Sequence, residues 1–262
     1  MPKPARRYTD RIQKTQKLLV DNNIRRHTDR DKEGNATEEG IRRAFNLGKK
    51  IAQQNKGGIF IGDTSSTRRA RVTLEAIERA YKDSGGRTVD IANKGGKVVG
   101  KTADGKDMKF NVISEGMGFS YENYGEVMKL LKDYGDFNKL KKDWYAGKIP
   151  TRLIMPPKEL ADTVIKDRIG GVLNYILSKP KKSITDLTAV HMENITHDYL
   201  VDVVFYRLTG KTMNLKDISP RSGLNFKIYS SKRGDISIIM DYKSKVRLNV
   251  TKQIFEICGL KR

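Results

Sequence analysis

Six consecutive residues, Arg25-Arg26-His27-Thr28-Asp29-Arg30, gather three arginines and a histidine beside the carboxylates of Asp29 and Asp31. The chain holds three histidines in 262 residues, so one set inside an arginine cluster stands out. An unprotonated imidazole nitrogen is a nucleophile, and guanidinium charge around it disfavours the imidazolium and lowers its pKa. The same guanidiniums form a socket for a phosphate-like oxyanion, because their planar forks bind such anions in a bidentate manner. A solvated basic turn would have the same composition. The hexapeptide becomes a site only if the rest of the chain brings further cations and a proton donor to it.

Two other polar turns offer such groups: Thr64-Ser65-Ser66-Thr67 running into Arg69, and Thr196-His197-Asp198. The elements that must position all three can be read from apolar spacing. Leu18-Leu19-Val20 and Ile24 lead into the arginine cluster as a short strand that Asp21-Asn22-Asn23 is expected to interrupt. A helix capped by Asn35 or Thr37 follows, with Glu38 and Glu39 in its first turn and Ile41, Ala44, Phe45, Ile51 and Ala52 on one stripe. Gly48 on that stripe is expected to let the helix approach a sheet. Ile59-Phe60-Ile61 is a buried strand, and after the second turn Ala70, Thr73, Ile77 and Ala80 mark another helix. Strands alternating with helices predict a parallel sheet covered on both faces. Ligands in such sheets sit at the carboxyl ends of the strands, where these turns fall.

The expected architecture is a single three-layer α/β/α domain over residues 1–262 with a mainly parallel central sheet. Residues 84–118 read as a hairpin excursion and 119–179 as a helical cap insertion, with Trp144 in the core of the cap. A strand then runs from Ser183 to Thr196, and Leu200, Val203, Val204 and Leu208 continue as a helix ending at Gly210. Leu224–Ile228 and Ile236–Met240 alternate as a C-terminal hairpin.

Charge narrows the partner. The formal net charge is +21, with 52 basic against 31 acidic residues, which predicts an anionic substrate or partner. The lysines are scattered rather than gathered in a stripe, so a phosphorylated small molecule or phosphoprotein is favoured over nucleic acid. No apolar run reaches membrane-spanning length, and no membrane partner is expected. The single cysteine, Cys258, sits in an apolar stretch as a small core residue and fits a reducing compartment. The N-terminus lacks the apolar stretch of a cleaved leader, so the expected location is the cytoplasm.

In their order, these motifs resemble the histidine phosphatase (phosphoglycerate mutase-like) superfamily. The resemblance rests on Arg26-His27 with Arg30, Thr37-Glu38-Glu39-Gly40, Ser65-x-x-x-Arg69-Ala70-x-x-Thr73 and Ile195-Thr196-His197-Asp198, and covers about residues 18 to 245. It implies that His27 attacks phosphorus to give a phosphohistidine, with Arg26, Arg30, Arg69 and His197 holding the phosphoryl oxygens. It implies no metal or other cofactor. The general acid is drawn from Glu115, in Ser114-Glu115-Gly116-Met117-Gly118, or from Asp198, with Glu115 slightly preferred. Thr28 stands where the family has glycine, and its side chain would either crowd the phosphate or add a hydroxyl contact.

Three other readings compete. A degenerate relative of the same fold would bind phosphate or nucleic acid without turnover. Gly95-Gly96-Lys97-Val98-Val99-Gly100-Lys101-Thr102 matches the P-loop pattern of NTPases, with Asp241 as its acidic partner. That loop requires a helix starting at the lysine, and the sequence that follows has strand alternation. A zinc site would need His27, His191 and His197 to meet. Within the arginine cluster, Arg25 is expected to face solvent.

Overall fold

A computed structural model of the protein describes residues 3–65, 67–88, 92–94, 97–101, 107–111, 123–184, 186–187, 189–214, 218–243 and 246–261, with the backbone alone for residues 3–8, 92–94, 97–101, 107–111 and 124. Its elements in chain order are α1 (Lys3–Thr15), β1 (Lys17–Arg26), α2 (Glu38–Gln54), β2 (Ile59–Thr64), α3 (Arg68–Asp83) and β3 (Arg87–Thr88). Then come β4 (Ala92–Lys94), β5 (Lys97–Lys101), β6 (Asp107–Asn111), α4 (Tyr124–Tyr134), α5 (Phe137–Tyr145) and α6 (Pro157–Ile165). A π-helical turn, Lys166–Gly170, joins α6 to α7 (Gly171–Leu177). The chain continues through α8 (Lys181–Ile184), β7 (Val190–Thr196), α9 (Asp198–Thr209), β8 (Gly223–Ser230), β9 (Ile236–Tyr242), β10 (Val246–Asn249) and α10 (Thr251–Cys258).

The main sheet has the order β10-β9-β8-β1-β7-β2-β3. β1, β7, β2 and β3 run parallel, as the strand–helix alternation predicts. β8, β9 and β10 add to β1 as an antiparallel meander, so the expected C-terminal hairpin gains a third strand. On one face, Phe60 and Ile195 pack against α2 and α3 through Ala44, Ile51, Leu74 and Ile77. On the other, Ile24, Ile61, Met192 and Phe226 meet α6, α7, α9 and α10. Val127 of α4 and Leu140 and Trp144 of α5 join the same core, so the helices within 119–179 are continuous with it. Among the described residues, no helix is long and apolar enough to cross a membrane.

Local chemistry accounts for the elements nearest the turns. The Thr37 hydroxyl accepts the Gly40 N–H at 3.1 Å and caps α2, with Glu38 and Glu39 against the positive end of the helix dipole. Gly48 allows close approach to another helix rather than to the sheet: a β-carbon there would overlap the Ile77 carbonyl of α3. Gly210, at φ +71°, ends α9 in the left-handed conformation that glycine adopts without strain.

Three expectations change. Asp21-Asn22-Asn23 does not break β1, which is one ten-residue strand. The Asn22 and Asn23 side chains are buried but paired. Asn22 accepts from Asn194 at 2.8 Å and donates to the Arg168 carbonyl at 2.7 Å, while Asn23 accepts from Arg25 and Asn225, each at 2.8 Å. A buried amide left unpaired costs about 1–3 kcal/mol, so partners on β7, β8 and the π-helical turn are what let asparagine occupy a central strand. The strand expected from Ser183 begins at Val190, after α8. The P-loop reading also fails. Lys97–Lys101 is a strand paired antiparallel with β6, Lys101 opposite Asp107, so no helix starts at Lys101. Asp241 lies on β9 of the other sheet.

Candidate active site

β1, β7 and β2 are adjacent and parallel, so the three polar turns leave the sheet at one edge. Backbone hydrogen bonds stitch the turns together: His27 N–H donates to Thr196 O at 2.8 Å, and Ser65 N–H to Ile195 O at 3.0 Å. These bonds bring His27, Arg69 and His197 to one place from positions up to 170 residues apart.

The hydrogen bonds of His27 define its tautomer. Nδ1 lies 2.7 Å from the Thr28 carbonyl, which can only accept, so Nδ1 carries the proton. Nε2 accepts from Arg69 Nε at 2.9 Å, which puts its lone pair toward the guanidinium. The His27 and His197 rings meet edge to face, with centroids 5.3 Å apart and planes at 75°. His197 Nε2 lies 3.4 Å from Ser65 Oγ, and its ring stacks on Tyr199 at 5.8 Å and 6°. Both imidazoles are buried, each 4% exposed. Burial, together with Arg69 and Arg26, lowers the pKa of His27 to about 4. Burial, His27 and the three guanidiniums of Arg69, Arg26 and Arg30 lower that of His197 to about 3. Both rings are neutral at pH 7.

Arg26 donates through one terminal nitrogen to the Ile218 carbonyl at 2.7 Å. Its Nε is buried without a hydrogen-bond partner, 3.7 Å from the Asp198 carboxylate. Asp198 opens α9 and accepts the Tyr199 N–H at 3.0 Å. Arg30 is exposed, and its charge acts on both Arg69 and His197. Burial and the neighbouring charges of Arg30 and Arg26 hold Arg69 below the ordinary arginine range. Thus Arg26, His27, Arg30, Arg69, His197 and Asp198 form one cluster, whereas Glu115 lies outside the described residues. Three guanidiniums facing one carboxylate and two neutral imidazoles leave excess positive charge, which suits a doubly charged tetrahedral anion.

Arg25 departs from its expected solvent position. Its Nε donates to Glu193 at 2.7 Å, and Glu193 is fully buried on β7. Glu193 also meets His191 Nε2 at 2.7 Å, while Asp21 lies 3.6 Å from His191 Nδ1. Burial disfavours the His191 imidazolium, but the two carboxylates outweigh it and raise its pKa to about 9. Asp21 is likewise pushed up by burial but drawn down to about 2 by His191, Asn225 and Lys227. The zinc reading fails with this arrangement, because His191 stacks on Phe60 within its own ion-pair network while His27 and His197 meet each other. Among the described residues no cluster of three metal-ligating side chains is present. The available signal was alternation: Asp21-x-Asn23-x-Arg25 and His191-x-Glu193 each line one face of adjacent strands. Of the other contacts of His197, Ser65 stands in the Ser65-x-x-x-Arg69 motif and Tyr199 follows His197-Asp198 directly, but nothing in their spacing marks either as its partner.

No family model matches the chain, and no curated protein matches it. Among solved structures it is similar to a phosphoglycerate mutase from Bacillus anthracis str. Sterne (15% identity, 88% of this chain and 94% of that one, TM-score 0.44). It is also similar to a mycobacterial glucosyl-3-phosphoglycerate phosphatase (12% identity, 84% and 97% covered, TM-score 0.42). A third is the Entamoeba histolytica phosphoserine phosphatase (14% identity, 81% and 96% covered, TM-score 0.38). At such identities and scores the likeness carries nothing about chemistry, which has to come from the side chains themselves.

Proposed function

We propose that the chain is a phosphoryl-transfer enzyme of the histidine phosphatase (phosphoglycerate mutase-like) type, a phosphomonoesterase working through phospho-His27. The observation that carries this reading is the pair of bonds on His27. Nδ1 is fixed as the donor by the Thr28 carbonyl, and Nε2 presents its lone pair where Arg69 donates. An arriving phosphate takes over the Arg69 donors and leaves Nε2 facing phosphorus. Nε2 then forms the N–P bond as the bond to the leaving oxygen breaks, and that oxygen takes a proton from a carboxylic acid. Asp198 is the described carboxyl beside the imidazoles, and Glu115 is the alternative donor. In the second half, water attacks phosphorus, gives its proton to the carboxylate and releases phosphate, which restores neutral His27. Arg26, Arg30, Arg69 and His197 hold the equatorial oxygens through both transfers, the charge stabilisation that dominates phosphoryl transfer.

The net charge of +21 favours a phosphorylated small molecule or phosphoprotein as substrate. The test is hydrolysis of a generic aryl phosphate in EDTA by the native chain and by His27→Ala. Turnover that falls by a factor on the order of 10⁴ in the variant is the expected result. Turnover that survives the substitution refutes the phosphohistidine route, and phosphate binding without turnover in the native chain identifies a binding-only relative.

A further inference from the structure

A second concavity lies apart from the histidine–arginine cluster. It encloses about 460 Å³ between the end of α5, residues 147–151, the first turn of α6 and the C-terminal half of α9. Trp144, Tyr145, Ile149, Pro157 and Tyr206 form its walls, with Lys158 at its edge. None of the six clustered residues lines it. From Asp198 to Tyr206 the distance along α9 is about 12 Å at the helical rise per residue.

The walls are built rather than incidental. Tyr145 and Tyr206 meet edge to face at 4.6 Å and 78°, and Trp144 meets Tyr145 at 5.6 Å and 60°. The polar atoms of the first two rings are already used: Trp144 Nε1 donates to Met155 O at 2.8 Å, and Tyr145 OH to Asp202 at 2.9 Å. Asp202 is itself buried and paired with Lys141 at 2.8 Å. Arg207, also on the lining, pairs with Asp162 at 2.6 Å and ties α9 to α6. These anchors fix the aromatic wall, leaving a pre-formed, mainly apolar cleft of the size that takes small organic ligands. Its charged lining residues, Lys158 and Arg207, are both cations.

From this we infer a second ligand site that takes a flat ring system bearing one anionic group. The ring lies against the wall that Trp144, Tyr145 and Tyr206 form together, where edge and face contacts favour aromatic carbon, and the anion meets Lys158. The site is separate from the phosphate cluster and does not depend on its chemistry.

Anilinonaphthalene sulfonate has this chemistry and serves as the probe. Trp144 is the only tryptophan in the chain, so it reports directly on the cleft. Titrating the dye into the native, full chain is expected to give saturable one-to-one binding, with Trp144 emission quenched and dye emission sensitised. Thr151 lines the cleft and is exposed, so Thr151→Phe narrows it without entering the core. That variant is expected to weaken binding about tenfold, and Lys158→Glu by a similar factor. Inorganic phosphate is expected not to displace the dye. Absence of saturable binding, affinity unchanged in both variants, or displacement by phosphate would each overturn the inference. Circular dichroism of the variants confirms that a loss reflects the cleft and not the fold.

Discussion

The hydroxyl of Thr28 is packed against the backbone of Gly40 in the first turn of α2. A β-carbon at Gly40 would overlap this oxygen, which is buried without a hydrogen-bond partner. The residue after His27 thus directs its extra atoms into a niche that α2 leaves open by lacking a side chain. Gly40→Ala is expected to destabilise the fold by about 1–3 kcal/mol through overpacking. Thr28→Ala in the same chain should recover most of that loss, because the clashing oxygen is gone. Urea denaturation of the four proteins in the cycle measures the coupling, and strictly additive costs would show that the two residues do not share the space. Thr28→Val keeps the shape and removes an unpaired buried hydroxyl, so its stability should match or exceed that of the native chain.

Removing one cation from the cluster separates binding from chemistry. On the proposed mechanism, Arg69→Gln removes one of the donors to the phosphoryl oxygens and is expected to lower kcat/KM by about 10²–10³-fold. Asp198→Asn and Glu115→Gln distinguish the two candidate acids. The true acid should lose more rate on an alkyl phosphate, whose leaving oxygen needs the proton, than on a nitrophenyl phosphate, whose leaving group does not. Equal losses on both substrates would mean that the carboxyl in question only shapes the site.

Anion binding should take up a proton. His197 has a pKa near 3 in the free site because of burial and neighbouring charge, and a dianion placed beside it favours the imidazolium. Sulfate keeps its double charge across the range, so its affinity is expected to rise as pH falls from about 6 toward 4, with a slope of at most about tenfold per unit for one proton. Calorimetry in buffers of different ionisation enthalpy counts the proton. His197→Gln should flatten the slope, and a slope that persists in that variant would assign the proton to His27.

Stability should fall on both sides of neutrality for separate reasons. His191 is raised from 6.5 to about 9 by Asp21 and Glu193 against the opposing effect of burial. Its contribution is complete below 6.5 and is lost as pH rises through about 9. His27 and His197 are depressed to about 4 and 3, so the unfolded chain binds their protons first, and stability declines as pH drops below 6.5 toward those values. Asp21, held near 2, loses its contribution only as pH falls from 3.8 through that value. Thermal melts of His191→Gln should start lower at pH 6 and lack the alkaline decline. An unchanged alkaline limb would place the transition elsewhere.

The local code of the chain determined the strand–helix alternation and the spacing of Arg26-His27, Arg69 and His197-Asp198. From these, a covered parallel sheet and the meeting of these side chains at its carboxyl end could be read without coordinates. The tertiary structure decided what period and composition cannot express, namely which strands become neighbours. β7 lies between β1 and β2, and only that order joins His27 to Thr196 and Arg69 to His27. The same long-range pairing reversed the meaning of Asp21-Asn22-Asn23 and Arg25. In isolation they are strand breakers and solvent charges, but Asn194, Asn225, His191 and Glu193 meet their polar groups from strands about 170 to 200 residues away. A polar side chain reads as exposed until its partner is known, because burial costs little once the hydrogen bond is made and a great deal when it is not.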